Sequence, residues 1–274
     1  MIIRLCLVFV LSILTAAPVA SGETFKALRS RGELLGWEAI GRVDLVGKGF
    51  CTGALIAQDL VLTAAHCVFD DTARMIAPER VIFRSGYVNG ESLSVRKINR
   101  IVADAGYVPS QDGMIQSAMM RHDLALLRLA SPIYSSEADP FAIHTTPEKG
   151  EVVSVLSYGR GRSEHLSWQK DCRVLDRYAG LMSFDCNVTF GSSGAPVFVR
   201  YGTRMRILSV VSAMGKDRNG DKVSLGMELP EAVARLKQRM RYGEQNTLST
   251  GAGAKRITVG SGTRAGGAKF VKVN

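Results

Sequence analysis

Apolar positions along this chain fall in short runs, alternating or continuous, each cut off by Gly, Asn, Asp or Pro. The segments Ala39–Val46, Gly53–Ile56, Leu60–Leu62, Arg80–Phe83, Ser94–Ile98, Leu124–Leu129, Val152–Ser157, Ala195–Val199, Met205–Val211 and Val223–Met227 all read this way. Runs of this length with turn residues between them predict strands, and their succession predicts an all-β fold. One segment has another period. Pro230 opens Glu231–Met240, where Val233, Leu236 and Met240 stand three and four apart, the spacing of a helix face. No internal repeat or long linker divides the chain before that helix.

The two ends depart from the strand pattern. Arg4, the almost wholly apolar Leu5–Leu14 and the small-residue stretch Ala16-Ala17-Pro18-Val19-Ala20 predict a cleaved export signal over 1–20, too short and wrongly flanked for a membrane anchor. Residues 21–36 then form an N-terminal segment or propeptide, 37–242 the folded domain, and 243–274 a basic Gly-rich tail. That tail carries Lys255, Arg256, Arg264, Lys269 and Lys272 against Glu244. It reads as a solvated extension, with a loose electrostatic hold on an anionic surface as the functional alternative. The 274 residues, 46% hydrophobic and 22% charged, suffice for a sizeable core. The formal charge of +10 becomes +9 without Arg4 and is largely dispersed, so no specific nucleic-acid partner is expected. A secreted or periplasmic monomer is.

Export also changes the cysteine arithmetic. Losing Cys6 leaves Cys51, Cys67, Cys172 and Cys186, an even set in an oxidising compartment, and four cysteines allow three pairings. Cys51 with Cys67 is favoured, because Phe50-Cys51-Thr52-Gly53 begins one β segment, Leu60-Val61-Leu62 forms the next, and a bridge there ties down the loop after it. Cys172 with Cys186 follows by exclusion. No pair has the close C-x-x-C spacing that zinc sites prefer, so neither metal nor cofactor is expected.

The candidate chemistry lies in three segments. His66 stands in Thr63-Ala64-Ala65-His66-Cys67, Asp123 in His122-Asp123-Leu124-Ala125-Leu126-Leu127, and Ser193 in Gly191-Ser192-Ser193-Gly194-Ala195-Pro196. A serine hydroxyl is a poor nucleophile until an imidazole takes its proton, and the imidazole needs a buried carboxylate to fix its tautomer. Gly191 and Gly194 let the backbone around Ser193 turn so that N–H groups face an oxyanion. Taken singly these residues read as structural, as His122, His144 and His165 do. Their conjunction in the order His, Asp, Ser reverses that reading for His66, Asp123 and Ser193. No histidine follows Ser193, which excludes an α/β-hydrolase, and a subtilisin-like order recruiting Asp44 would need a parallel sheet with many helices. A calcium loop is imitated by Asp217-Arg218-Asn219-Gly220-Asp221 with Glu228, but Lys222 stands where Gly is needed and Asn219-Gly220 is a hairpin signal.

From about Trp37 to about Tyr242 these motifs resemble the chymotrypsin-like serine proteases, in particular their secreted bacterial branch. The resemblance implies two packed antiparallel six-stranded β-barrels, a site in the cleft between them and a C-terminal helix closing the second barrel. It implies His66 as general base, Asp123 as its orienting acid, Ser193 as nucleophile, and the backbone N–H groups of Gly191 and Ser193 as oxyanion hole. The implied substrate pocket is walled by Asn187, Val188 and Thr189 and by Ser212, Ala213, Met214 and Gly215. No acid stands clearly at its base, with Asp185 a poor substitute, and Val211 takes the place of a histidine found in glutamate-specific relatives. An uncharged, small or medium side chain is therefore expected at the cleavage site. Unlike the animal digestive enzymes, the chain has Ser192 in place of the aspartate that pairs with a newly cut N-terminus, and it lacks an Ile-Val-Gly-Gly start. Activation through that salt bridge is not expected; the mature start falls between Ser21 and Trp37, with Arg29 and Arg31 as trimming points. HtrA-like relatives usually lack this cysteine pair and carry a peptide-binding module that has no room here. The partner is a protein or peptide substrate. The alternative is a catalytically inactive binding protein with a basic surface.

Overall fold

The computed structural model describes residues 25–110, 115, 117–217 and 219–251. The expected export signal, Cys6, Arg218 and the part of the expected tail beyond residue 251 lie outside them. The described chain opens with β1 (Lys26–Leu28). Six strands then close an antiparallel barrel in the order β2-β3-β4-β7-β6-β5: β2 (Ile40–Leu45), β3 (Gly49–Ala57), β4 (Leu60–Thr63), β5 (Val81–Ser85), β6 (Ser94–Ala103) and β7 (Ala125–Leu129). A short helix, α1 (Ser117–Met120), leads into β7. Alternation explains the closure: Val43, Leu45, Val81, Phe83, Leu127 and Leu129 point inward from three strands and pack as one core.

The second half comprises β8 (Val152–Gly159), β9 (Arg162–Tyr178), β10 (Leu181–Phe184), β11 (Pro196–Tyr201), β12 (Arg204–Val210), β13 (Ala213–Lys216) and β14 (Lys222–Met227). They run β12-β11-β8-β9-β10-β14-β13, with β1 added on β9. Its own core is formed by Val153, Val155, Phe184, Val197 and Leu208. The expected second barrel is thus present as a sheet of six barrel strands plus the β13 extension, and the seam between β12 and β14 is made by a side chain. Ser209 Oγ donates to the Met227 carbonyl at 2.8 Å and accepts from the Met227 N–H at 3.0 Å. Gly226 permits this approach, since a Cβ there would run into Ser209 Oγ and the Val210 carbonyl. Ser209→Ala is expected to destabilise the fold by about 2 kcal/mol, because it strands two buried backbone groups. A lower urea midpoint at unchanged m-value is the measurement.

The sequence pattern misses β9, the longest strand. Its buried positions are occupied in part by Ser167, Gln169 and Cys172, and register shifts against β8 break the alternation. The late helix, α2 (Pro230–Gly251), begins at the expected proline and runs on well past Met240 into the stretch assigned to the tail. It does more than close the second barrel. Ala232, Val233, Leu236 and Met240 enter a third core between the two halves, with Leu124, Leu126, Phe198 and Ile207. Arg100 of β6 in the first barrel donates to the Arg239 carbonyl at 3.3 Å. Leu28 and Leu34 belong to this middle core too, exposed by only 1% and 0%, so trimming at Arg29 or Arg31 would strip β1 and a core leucine.

Candidate active site

His66 sits on the one-turn 3₁₀ helix Ala65–Val68 that ends β4, and Cys67 on the same turn is bonded to Cys51 of β3. The bridge fixes the turn to the barrel wall. The other disulfide joins Cys172 of β9 to Cys186, just after β10. Asp123, at the entry to β7, is fully buried and has three donors. The His66 N–H reaches Oδ1 at 2.8 Å, His66 Nδ1 reaches Oδ2 at 2.8 Å, and the Ser212 hydroxyl reaches Oδ2 at 2.6 Å. A carboxylate can only accept, so Nδ1 carries the ring proton and Nε2 presents its lone pair. Burial, and then the negative charge of Asp123, push the Tyr107 phenol up.

Ser212→Ala removes a charge-assisted bond to a buried carboxylate and is expected to cost about 2 kcal/mol of stability, read by thermal melting. The sequence reading placed Ser212 only in a pocket wall. Its bond to Asp123, 89 residues away, has no local signal.

The Ser193 segment is held by both halves. The Thr52 N–H of β3 donates to the Ser193 carbonyl at 2.9 Å. The Thr52 hydroxyl donates to the Gly191 carbonyl at 2.9 Å and accepts from the Tyr158 N–H of β8 at 3.0 Å. Thr63 of β4 in turn donates to the Thr52 carbonyl at 2.9 Å. Around Ser193, the Ser192 N–H donates to Thr189, the Gly194 N–H to Val211 and the Ala195 N–H to Ser192. The N–H groups of Gly191 and Ser193 have no acceptor among the described residues. Both residues line the same cleft as His66. Gly191, with φ +90°, packs where a Cβ would strike the Phe50 ring. No hydrogen bond joins Ser193 Oγ to His66 Nε2, and such contacts commonly tighten only on substrate.

The cleft encloses about 750 Å³. Of the expected pocket residues, Val188, Thr189, Ser212, Ala213 and Met214 line it. Asn187 and Gly215 do not; the Asn187 N–H is taken by Gln169 Oε1 at 2.7 Å. Asp185 also stays out of the lining, its carboxylate accepting the Arg173 N–H. Val211 contributes, as do Phe50, Phe190 and two cations the sequence reading missed. Arg160 stacks on Phe190 at 4.3 Å, and Lys48 Nζ donates to the His66 and Phe69 carbonyls, its pKa lowered by burial. Among the described residues no carboxylate lines the cleft. Cys51, His66 and Cys67 lie close enough together to ligate a metal, but both sulfurs are spent in the disulfide.

The calcium-like segment is a hairpin. Lys216 pairs with Lys222 across its mouth, Asp217 Oδ1 accepts the N–H groups of Asn219 and Asp221, and Glu228 binds Arg177 instead.

Comparison with known proteins bears on the family and the fold. A family model described as "Trypsin-like peptidase domain" matches residues 51–204. Serine protease snk of Drosophila melanogaster is 32% identical over 136 residues, covering 48% of this chain and 28% of that protein. Human Serine protease 23 is 25% identical over 221 residues, covering 68% of this chain and 55% of that protein. The chain thus spans from about a quarter to just over half of these relatives' lengths. Two solved structures share the fold. A thermostable serine protease AL20 from an extremophilic microorganism has 22% identity and a TM-score of 0.58 over 73% of this chain and 94% of that one. A Glu endopeptidase has 20% identity and a TM-score of 0.57 over 76% of this chain and 91% of that one.

Proposed function

The chain belongs to the trypsin-like peptidase domain family, and on that footing we propose that it is an exported serine endopeptidase working through His66, Asp123 and Ser193. The observation that carries this reading is the buried Asp123 carboxylate bonded to His66 Nδ1, with Ser193 and the unengaged N–H groups of Gly191 and Ser193 in the same cleft. Ser193 Oγ attacks the scissile carbonyl carbon as its proton passes to His66 Nε2. The carbonyl oxygen becomes an oxyanion held by the Gly191 and Ser193 N–H groups, where each donor is worth about 3 kcal/mol of barrier. The C–N bond then breaks, His66 returns the proton to the departing amine, and an acyl-enzyme remains. Water, deprotonated by His66, releases the acid and restores Ser193. No metal or cofactor enters these steps.

The cleft supports an uncharged, small or medium apolar side chain at the cleavage site, because Val188, Val211, Ala213 and Met214 line it and no carboxylate among the described residues does. A peptide-library profile dominated by Lys, Arg or Glu would overturn this part. Export is supported by the apolar leader and the two disulfides; among the described residues no helix is long and apolar enough to cross a membrane. The direct test is a fluorophosphonate probe, which should label the wild type and not Ser193→Ala. Labelling of neither would point instead to an inactive protease-fold binding protein.

A further inference from the structure

Ser192 and Ser193 face opposite ways. Ser193 lines the cleft, whereas Ser192 is wholly buried beneath it. What Ser192 meets there is a guanidinium. Arg162, at the start of β9, donates from Nη2 to Ser192 Oγ at 3.2 Å, and from Nη1 to Ser157 Oγ at 3.0 Å and to the Ser157 carbonyl at 2.7 Å. The two serine hydroxyls are 3.1 Å apart and hydrogen-bonded to each other, and Ser192 Oγ also accepts the Thr189 N–H at 3.4 Å. The open side of the guanidinium is covered by the Phe25 ring, 4.3 Å from Cζ, immediately before β1 pairs with β9.

A cation in such a place is costly to the fold. Burial brings the Arg162 pKa down to about 10, and among the described residues no carboxylate offsets it. The sign is clear: a base whose pKa is lower folded than unfolded destabilises the native state at every pH where it is charged, and this cost fades as pH rises through about 10. A desolvated cation that is hydrogen-bonded to the residue preceding a reactive serine is a candidate for function as well as for structure. Its position supplies the function, since it ties the residue preceding Ser193 to the β8–β9 hairpin from the side away from the cleft.

We propose that Arg162 is a positioning residue that holds the Ser193 loop through Ser192 and Ser157 from within the chain, so that competence requires no free N-terminus. This rests on the serine-peptidase reading. Phe25 acts as a cover over Arg162, and a terminal amine is not needed to set the loop.

The experiment uses the full exported chain, comparing wild type with Arg162→Met, Ser192→Asp, the double variant, and a form extended at its N-terminus by a tag. Fluorophosphonate labelling rate, kcat, KM and melting temperature are read for each. Arg162→Met should lower kcat and labelling about 100-fold with KM little changed, while its melting temperature holds or rises, because buried charges replaced by apolar groups of similar volume are often neutral or stabilising. A merely structural arginine would show the reverse, with activity falling only as the fold melts. Ser192→Asp should keep labelling within about tenfold while Arg162 pairs with it, and the double variant should fall below either single one, because a buried carboxylate is then unpaired. The tagged form should label as the wild type does. If Arg162→Met labels at the wild-type rate, or if the tag abolishes labelling, the proposal is overturned. Should Arg162→Met fail to fold, Ser192→Asp decides: labelling within tenfold supports the pairing, and any larger loss overturns it. An unlabelled wild type would instead overturn the hydrolase reading, and with it this inference.

Discussion

Asp123→Asn is expected to lower kcat about 10,000-fold near neutral pH while leaving KM and the fold nearly unchanged. The reason lies in the donors around the carboxylate. Oδ2 receives His66 Nδ1 at 2.8 Å and the Ser212 hydroxyl at 2.6 Å, and Oδ1 receives the His66 N–H at 2.8 Å. An asparagine offers one acceptor and one NH₂ to those two positions. If the NH₂ faces Nδ1, the imidazole must carry its proton on Nε2 and can no longer take one from Ser193. If the amide flips, the NH₂ meets the His66 N–H, a clash of donors in a fully buried place. Steady-state kinetics and the fluorophosphonate labelling rate both report this. A loss below tenfold would remove Asp123 from the mechanism.

The second large effect concerns Gly194. Its φ is +78°, and a Cβ would run into Thr63 Oγ1 and the Thr52 carbonyl, with the Ala64 nitrogen at 3.0 Å. None of these neighbours is the free end of a flexible side chain. Thr63 is already bonded to the Thr52 carbonyl, and Thr52 holds Ser193 and Gly191. Gly194→Ala therefore combines left-handed strain with overpacking and is expected to cost about 2–5 kcal/mol, with labelling of Ser193 lost in whatever fraction folds. Gly202→Ala is the control. Its φ of +60° is comparably strained, but nothing stands within 4 Å of the added methyl, so about 1 kcal/mol is expected and no change in labelling. Equal urea midpoints for the two variants would refute the steric account.

Much of the fold is legible from periodicity because an inward-facing strand residue has to be apolar wherever the wall behind it is. Val43, Leu45, Val81 and Phe83 show this in the first barrel. The signal fades where the interior is filled by small or hydrogen-bonded groups. In β9 the buried positions include Ser167 and Gln169, and Gln169 bonds the Asn187 N–H in the loop after β10, so no period survives to be read. The end of α2 escapes the pattern for a related reason: the apolar stripe stops at Met240, whereas the helical backbone, which needs no stripe, continues to Gly251.

The candidate site divides in the same way. The candidate reactive types and their order, the glycines at Gly191 and Gly194, and the even set of cysteines are all readable along the chain, because those requirements belong to single residues and to their immediate neighbours. What surrounds them emerges only once the chain is folded. Ser212 reaches Asp123 across 89 positions, the Thr52 hydroxyl reaches the Gly191 carbonyl across 139, and Arg162 meets Ser192 across 30. A hydrogen bond depends on distance in space. Between residues this far apart in the chain, that distance is set by how two barrels close and pack, which no local pattern encodes.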